Sequence, residues 1–241
     1  MTRKYLTQDE VYRLMDAAQS MSFPERNRCL IMMAFIHGFR ASELLDLRLS
    51  DIDASGKQLN IRRIKNGFST THPLLPDEYN LIKLWLKQRK LIENGVEGDW
   101  LFLSRKRRPI SRQHFFSIIR EAGRRAGLAV KAHPHMLRHA CGFALADNGV
   151  DTRLLQDYLG HRNIQHTVRY TASNAARFKE MCIRDRNITL GTAGEDLPIF
   201  ILQLQIARIA QNFRTLRINQ LNGAAVSYTH LDVYKRQRQT C

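Results

Sequence analysis

The chain has 241 residues, enough for one good-sized domain with a small appendage, and 44% of them are hydrophobic, enough to bury a core. Its 38 Lys+Arg exceed its 22 Asp+Glu to give a formal net charge of +16, which points to a polyanionic partner, nucleic acid ahead of an anionic membrane surface. No apolar run follows the basic residues of the opening MTRKYLTQDE, no stretch approaches the ~18 apolar residues of a membrane span, and Cys29, Cys141, Cys182 and Cys241 have no CxxC spacing, so a secretory signal, a membrane-spanning protein and a paired-cysteine metal or redox site are disfavoured and a reducing cytoplasm is expected.

Thr7-Gln8-Asp9-Glu10 has the form of a capping box, and the amphipathic run behind it predicts a helix to about Gln19. Residues 25–37 read as a largely buried helix that Gly38 ends. ASELLDLRLSDID predicts a short helix leading to a strand. KQLNIRRI alternates as a strand does, Asn66-Gly67 is the strongest short hairpin signal, and FSTTHPL is the expected return strand. Pro76 opens a helix in its first turn over PDEYNLIKLWLKQRK. DWLFLS reads as a short buried strand. Helices are predicted over residues 111–126, 134–147, 151–158 and 163–179. The expected class is mostly α with a small antiparallel β-sheet near residues 57–72. Residues 1–180 carry 30 Lys+Arg against 18 Asp+Glu, and residues 181–241 carry 8 against 4, so the basic character belongs to the first part.

Chemistry concentrates late in the chain. HPHMLRH (133–139) is followed by LGHRN (159–163) and TVRYTAS (167–173). The i,i+4 pair His135/His139 has metal-ligand spacing, but no carboxylate lies between residues 122 and 146, and Arg138 would repel a dication, so no metal is expected. His135 and Arg138, three apart, share one helix face. An arginine fork matches two phosphate oxygens, and a neighbouring imidazole can move a proton. For HxxR alone, a surface helix with a basic face is the plainer reading. His161 beside Gly160 and Tyr170 nine residues later shift that balance. A tyrosine with a free pKa near ~10 becomes a nucleophile when its surroundings take the proton and stabilise the developing charge. Arg40, at the break after Gly38, is a second arginine able to enter such a cleft, and Glu43 is placed to orient it. SRKRRPISR (104–112) is expected to touch phosphates through Arg105, Lys106, Arg107, Arg108 and Arg112. Arg62 and Arg63 flank the hairpin and alternate faces, so at most one of them is expected to meet DNA. Arg124, Arg125 and Lys131 extend the basic face. These contacts would give affinity and register without sequence information.

GFRASELL, HPHMLRH, LGHRN and the terminal Tyr170 resemble the tyrosine recombinase (phage integrase) family. KNGFSTTHPLLPDE, HPHMLRHACGFALA, DTRLLQDYLGHRNI and HTVRYTASNAARF resemble, within it, the recombinases that invert the type 1 fimbrial promoter switch. The resemblance runs from Tyr5 to Lys179 and implies the tyrosine recombinase catalytic-domain fold. It implies that Tyr170 attacks the scissile phosphate to give a 3′-phosphotyrosyl link, that Arg40 and Arg138 hold the non-bridging oxygens, and that His135 handles a proton. It further implies that His161 donates a hydrogen bond and that Lys65 protonates the leaving 5′-oxygen. Read without the resemblance, Lys65 is an ordinary turn lysine. No cofactor is implied. The implied partners are double-stranded DNA with inverted repeats, further copies of the chain in a tetramer, and accessory DNA-bending proteins; the implied location is the cytoplasm, on the nucleoid. A type IB topoisomerase or a non-catalytic DNA-binding regulator are the competing functions. The resemblance stops after ARFKE. MCIRDR and VSYTHLDVYKRQ resemble strings found at the ends of unrelated translated sequences, so the expected division is a catalytic domain over residues 1–180 and a tail over residues 181–241, disordered or non-native.

Overall fold

In a computed structural model, the described residues are 3–63, 69–92 and 98–172; the tail expected from residue 181 onward, Lys65 and the Asn66-Gly67 turn lie outside them. Helix α1 (Gln8–Ala17) starts at the predicted capping box. The Thr7 hydroxyl accepts from the Glu10 amide at 3.2 Å, and the Glu10 carboxylate accepts from the Thr7 amide at 2.9 Å. Helix α2 (Pro24–Ile36) is buried on nearly every side from Cys29 to Ile36 and packs on α4 (Pro76–Lys90) and α6 (Pro134–Asp147), forming the centre of the core. A helix apolar all round is stable only in such a position.

Between α2 and α4 come the short helix α3 (Ala41–Leu45) and three strands, β1 (Ile52–Asp53), β2 (Gln58–Ile61) and β3 (Thr70–Pro73), antiparallel in the order β1-β2-β3. Leu59 pairs with His72 and Ile61 with Thr70. Helices α5 (Arg112–Arg125), α7 (Thr152–Leu159) and α8 (Gln165–Ala172) complete the described chain. The expected class, mostly α with a small antiparallel sheet, is what the structure has.

DWLFLS is not a strand. It makes isolated bridges, Arg48 to Trp100 and Leu103 to Pro109, and its Leu101 amide donates to the Leu47 carbonyl at 2.8 Å. Its Leu101 carbonyl accepts from the Trp85 indole at 2.9 Å, so an α4 side chain uses a group that a ladder would need.

A buried polar thread ties the sheet to the helices. His37 Nε2 meets Glu78 Oε1 at 2.7 Å, and His37 Nδ1 meets His72 Nδ1 at 3.1 Å. His72, on β3, stacks on the Tyr158 ring with centroids 4.1 Å apart. These contacts join the end of α2, the start of α4, β3 and α7 directly behind the loop that carries Arg40. Among the described residues, no helix is long and apolar enough to cross a membrane.

Candidate active site

Two left-handed glycines shape the floor of the site. Gly38 (φ 57°) ends α2, and a Cβ there would lie 2.4 Å from Leu159 Cδ2. Gly160 (φ 64°) caps α7, and a Cβ there would lie 3.0 Å from the Arg63 side chain. Backbone this close, in this conformation, requires glycine. The two turns deliver Arg40 and His161 to the same place.

Arg138, on α6, joins them from beneath. It is 1% exposed; one terminal nitrogen donates to the Gly38 carbonyl, and the other donates to the Leu159 carbonyl at 2.7 Å. Each nitrogen retains a second N–H. Burial, with Arg40 and Arg63 nearby, pushes its pKa down to about 10, so it stays charged at neutral pH.

Glu43 holds the cations together. Its buried carboxylate accepts from Arg40 Nη1 at 2.5 Å, the Arg40 amide at 3.0 Å and Arg63 Nη1 at 2.9 Å, and it lies 3.9 Å from Arg138 Nη1. Burial alone would raise its pKa; Arg63 and Arg40 outweigh that and hold it below the ordinary value. Arg40 keeps about a third of its side chain exposed (32%), so this guanidinium can meet an anion from solution.

Tyr170, on α8, lies against α6. It is 2% exposed, with its ring edge-on to Phe143 at 5.1 Å and parallel to His161 at 6.2 Å. A Cβ on Gly142 would lie 2.7 Å from Tyr170 Cζ, so glycine is what lets the ring reach the helix. Burial raises its hydroxyl to about 12, with Arg138 opposing. His161 Nδ1 meets the Thr167 hydroxyl at 2.9 Å; burial, then Arg138 and Arg40, lower its pKa to about 3, so its ring is neutral. His135 is exposed, and its ring stands edge-on to His139 at 4.3 Å.

Of the residues singled out from the sequence, Arg40, Glu43, Arg138, His161 and Tyr170 converge here, with His135 at the rim. Lys65 lies outside the described residues. Arg62 and Arg63 alternate faces as expected, and Arg63 is the one excluded from the DNA contacts: it is 7% exposed and bonded to Glu43 and to the Tyr158 carbonyl, because it continues the inward-facing set Leu59 and Ile61. Arg62 points outward, with its side chain 57% exposed and 2.9 Å from Asp51. Arg105, Lys106, Arg107 and Arg108 occupy an exposed turn closed by Ser104 and Arg108, and exposed Arg112 starts α5. Sequence reasoning passed over His139 except as a metal ligand. Its Nδ1 lies 2.8 Å from the Tyr170 hydroxyl, and its spacing from His135 was the one available signal.

Two arginines grouped with a histidine and a tyrosine have the equipment for phosphoryl transfer: charge to neutralise the phosphate and a nucleophile to attack it. Residues 4–177 match the model of the phage integrase family. The chain is 57% identical over 176 residues to the type 1 fimbriae regulatory protein FimB of Escherichia coli K12, covering 73% of this chain and 88% of that protein. It is 52% identical over 186 residues to the type 1 fimbriae regulatory protein FimE of the same strain, covering 77% and 94%. The crystal structure of XerA recombinase superposes with a TM-score of 0.65 at 29% identity, over 77% of this chain and 64% of that one.

Proposed function

Since the chain belongs to the phage integrase family, we propose that it is a site-specific DNA recombinase that cuts and rejoins DNA through a 3′-phosphotyrosyl intermediate. The observation that carries this is the convergence of Arg40, Arg138 and His161 on one site against which the Tyr170 ring is packed. Tyr170 attacks the scissile phosphorus and expels the 5′-oxygen. Arg40 and Arg138 neutralise the non-bridging oxygens, and losing one such donor typically costs 10²–10³-fold in rate, roughly 2.7–4 kcal/mol. His161 donates a hydrogen bond to the phosphate, and His135, at the rim, is the histidine that the family resemblance casts as the proton-handling group. Lys65 protonates the departing oxygen. In support of that role, β2 and β3 bracket the segment that carries Lys65, and Arg63, two residues before it, is anchored to Glu43 beneath the site. The tyrosyl ester conserves the phosphodiester energy, so the strand can be resealed to a new partner without ATP or metal.

Similarity to FimB and FimE supports a fimbrial switch as the substrate: a promoter segment between inverted repeats, inverted by copies of the chain assembled as a tetramer with accessory DNA-bending proteins. Such a protein works in the cytoplasm, on the nucleoid. The exposed bases Arg62, Arg105, Lys106, Arg107, Arg108 and Arg112 supply phosphate contacts. Residues 1–180 form the catalytic domain, and the tail from residue 181 adds nothing to the cutting site, so a chain ended at Lys179 retains cleavage.

The test is a nicked suicide substrate carrying one repeat. The protein should form a covalent DNA adduct, and Tyr170→Phe should bind the same DNA without forming it. An undiminished adduct in Tyr170→Phe would overturn the assignment of the nucleophile. Inversion of a switch-bearing plasmid supports the recombinase reading; relaxation of a plasmid without repeats marks a topoisomerase instead.

A further inference from the structure

Attack by Tyr170 requires a group to take its proton. His135 is exposed and meets the edge of the His139 ring rather than the tyrosine hydroxyl. His161 lies parallel to the Tyr170 ring, at 15° between planes, and its Nδ1 is engaged by Thr167. His139 Nδ1 lies 2.8 Å from the hydroxyl oxygen. His135, His139, Gly142 and Phe143 fall on one face of α6 at helical spacing, and that face is the platform on which Tyr170 rests. The bare Cα of Gly142 lets the ring settle, and the hydroxyl then falls on His139.

We propose that His139, in place of the His135 that the family resemblance would cast in that part, is the general base of the cleavage step, accepting the Tyr170 proton at Nδ1; this rests on the recombinase reading above. The bond from tyrosine oxygen to phosphorus forms as the bond to the 5′-oxygen breaks. The tyrosine proton goes to His139, and the 5′-oxygen takes a proton from the acid on the other side. Resealing reverses both transfers: the 5′-hydroxyl gives up its proton, and protonated His139 returns one to the departing tyrosine.

The groups that face His139 give this base a condition. Burial comes first; His135 on its own helix, the cations Arg169 on α8 and Arg138 on α6, and His133 just ahead of α6 all disfavour a further positive charge there, and together they push its pKa down to about 4. The ring is therefore neutral, and in the tautomer with its proton on Nε2 it accepts at Nδ1 from the tyrosine hydroxyl, which stays protonated. A phosphodiester seated on Arg40 and Arg138 adds negative charge beyond that of Glu43. That charge raises the basicity of His139, so the tyrosine is activated only when a phosphate is in position.

The experiment compares single-turnover adduct formation in His139→Ala, His139→Asn and the unmodified protein, with DNA affinity and circular dichroism as controls. Asn presents an acceptor near the Nδ1 position but cannot take a proton. Both variants should bind DNA normally and cleave about 10²–10⁴-fold slower, the usual worth of a general base. A 5′-phosphorothiolate substrate, whose leaving group needs no proton, should rescue neither. Installing a fluorinated, more acidic tyrosine at position 170 should shrink the deficit of His139→Ala, because that nucleophile needs less help to ionise. Wild-type rates in His139→Asn would reduce His139 to a positioning residue and overturn the proposal, as would a deficit unchanged by fluorination. Failure of the unmodified protein to form any adduct would instead overturn the recombinase reading.

Discussion

Replacing Glu43 by Gln preserves the size of the side chain and an oxygen for the Arg40 amide, but deletes the negative charge on which three guanidinium groups converge: Arg40 at 2.5 Å, Arg63 at 2.9 Å and Arg138 at 3.9 Å. Arg63 and Arg138 are 7% and 1% exposed, so water cannot replace the lost charge. Removing one partner of a buried ion pair costs roughly 3–5 kcal/mol, because the other is left uncompensated. For a domain of this size each kcal/mol lowers the Tm by about 2–4 °C, so Glu43→Gln should melt about 6–20 °C lower. The double variant Glu43→Gln, Arg63→Met removes a buried cation together with the charge it faced. Its loss should fall short of the sum of the single losses by about 0.5–3 kcal/mol, the range for residues in one network. Differential scanning calorimetry with urea titration measures both. The pH dependence has a definite sign: the carboxyl is held below its ordinary value, so its stabilisation is present above the unfolded pKa and lost as pH falls through the folded one. Glu43→Gln should lack that acid-side loss. A Tm shift under about 2 °C, or additive losses in the double variant, would refute the view that one carboxylate holds the cluster together.

Gly142→Ala should leave α6 helical yet push the Tyr170 ring away from a Cβ that would lie 2.7 Å from Cζ; the strain is worth about 1–3 kcal/mol and should appear as slowed adduct formation with unchanged DNA affinity. Arg40→Lys and Arg138→Lys keep charge but lose the planar fork, and each should reduce cleavage by about 10²–10³-fold while affecting binding much less, as gel shift and adduct assays would show. Burial holds His72 well below its ordinary pKa, so the unfolded chain binds its proton more readily than the folded protein. Stability should be level above about pH 6.5 and fall below it, with His72 alone contributing up to about 1.4 kcal/mol per pH unit. A urea midpoint unchanged between pH 7.5 and 5 would contradict this.

Local signals in the sequence were sufficient for much of the fold. The Thr7–Glu10 box starts α1, Pro76 starts α4, and Gly38 and Gly160 stop their helices, because caps and breakers act within one turn. The alternation through Leu59, Ile61 and Arg63 also held the answer for Arg63, since the same pleat that buries two apolar residues buries the third. Alternation alone left open which of Arg62 and Arg63 turns inward; continuing the pleat from Ile61 decides it. DWLFLS has the composition of a strand, but its place is decided by the Trp85 indole and the Leu47 carbonyl, contributed by distant parts of the chain. The arginines and the tyrosine were recognisable as a set through resemblance. The contact between His139 and Tyr170 spans 31 positions, and the histidine thread spans 35 and 41, so neither leaves a periodic trace.

Arg138 reaches back 100 positions to the Gly38 carbonyl and forward 21 to that of Leu159. Contacts so far apart in the chain close late in folding, because loop entropy must be met before they form. During synthesis, α2, the sheet and α4 can consolidate while Arg138, His161 and Tyr170 have yet to emerge. A partly made or partly unfolded chain thus carries ample positive charge to adhere to DNA but lacks the assembled cluster of Arg40, Arg138, His161 and Tyr170. On the function proposed above, competence to cut arrives only when α8 docks on α6 and brings Tyr170 to the arginines, so folding itself acts as the safety catch.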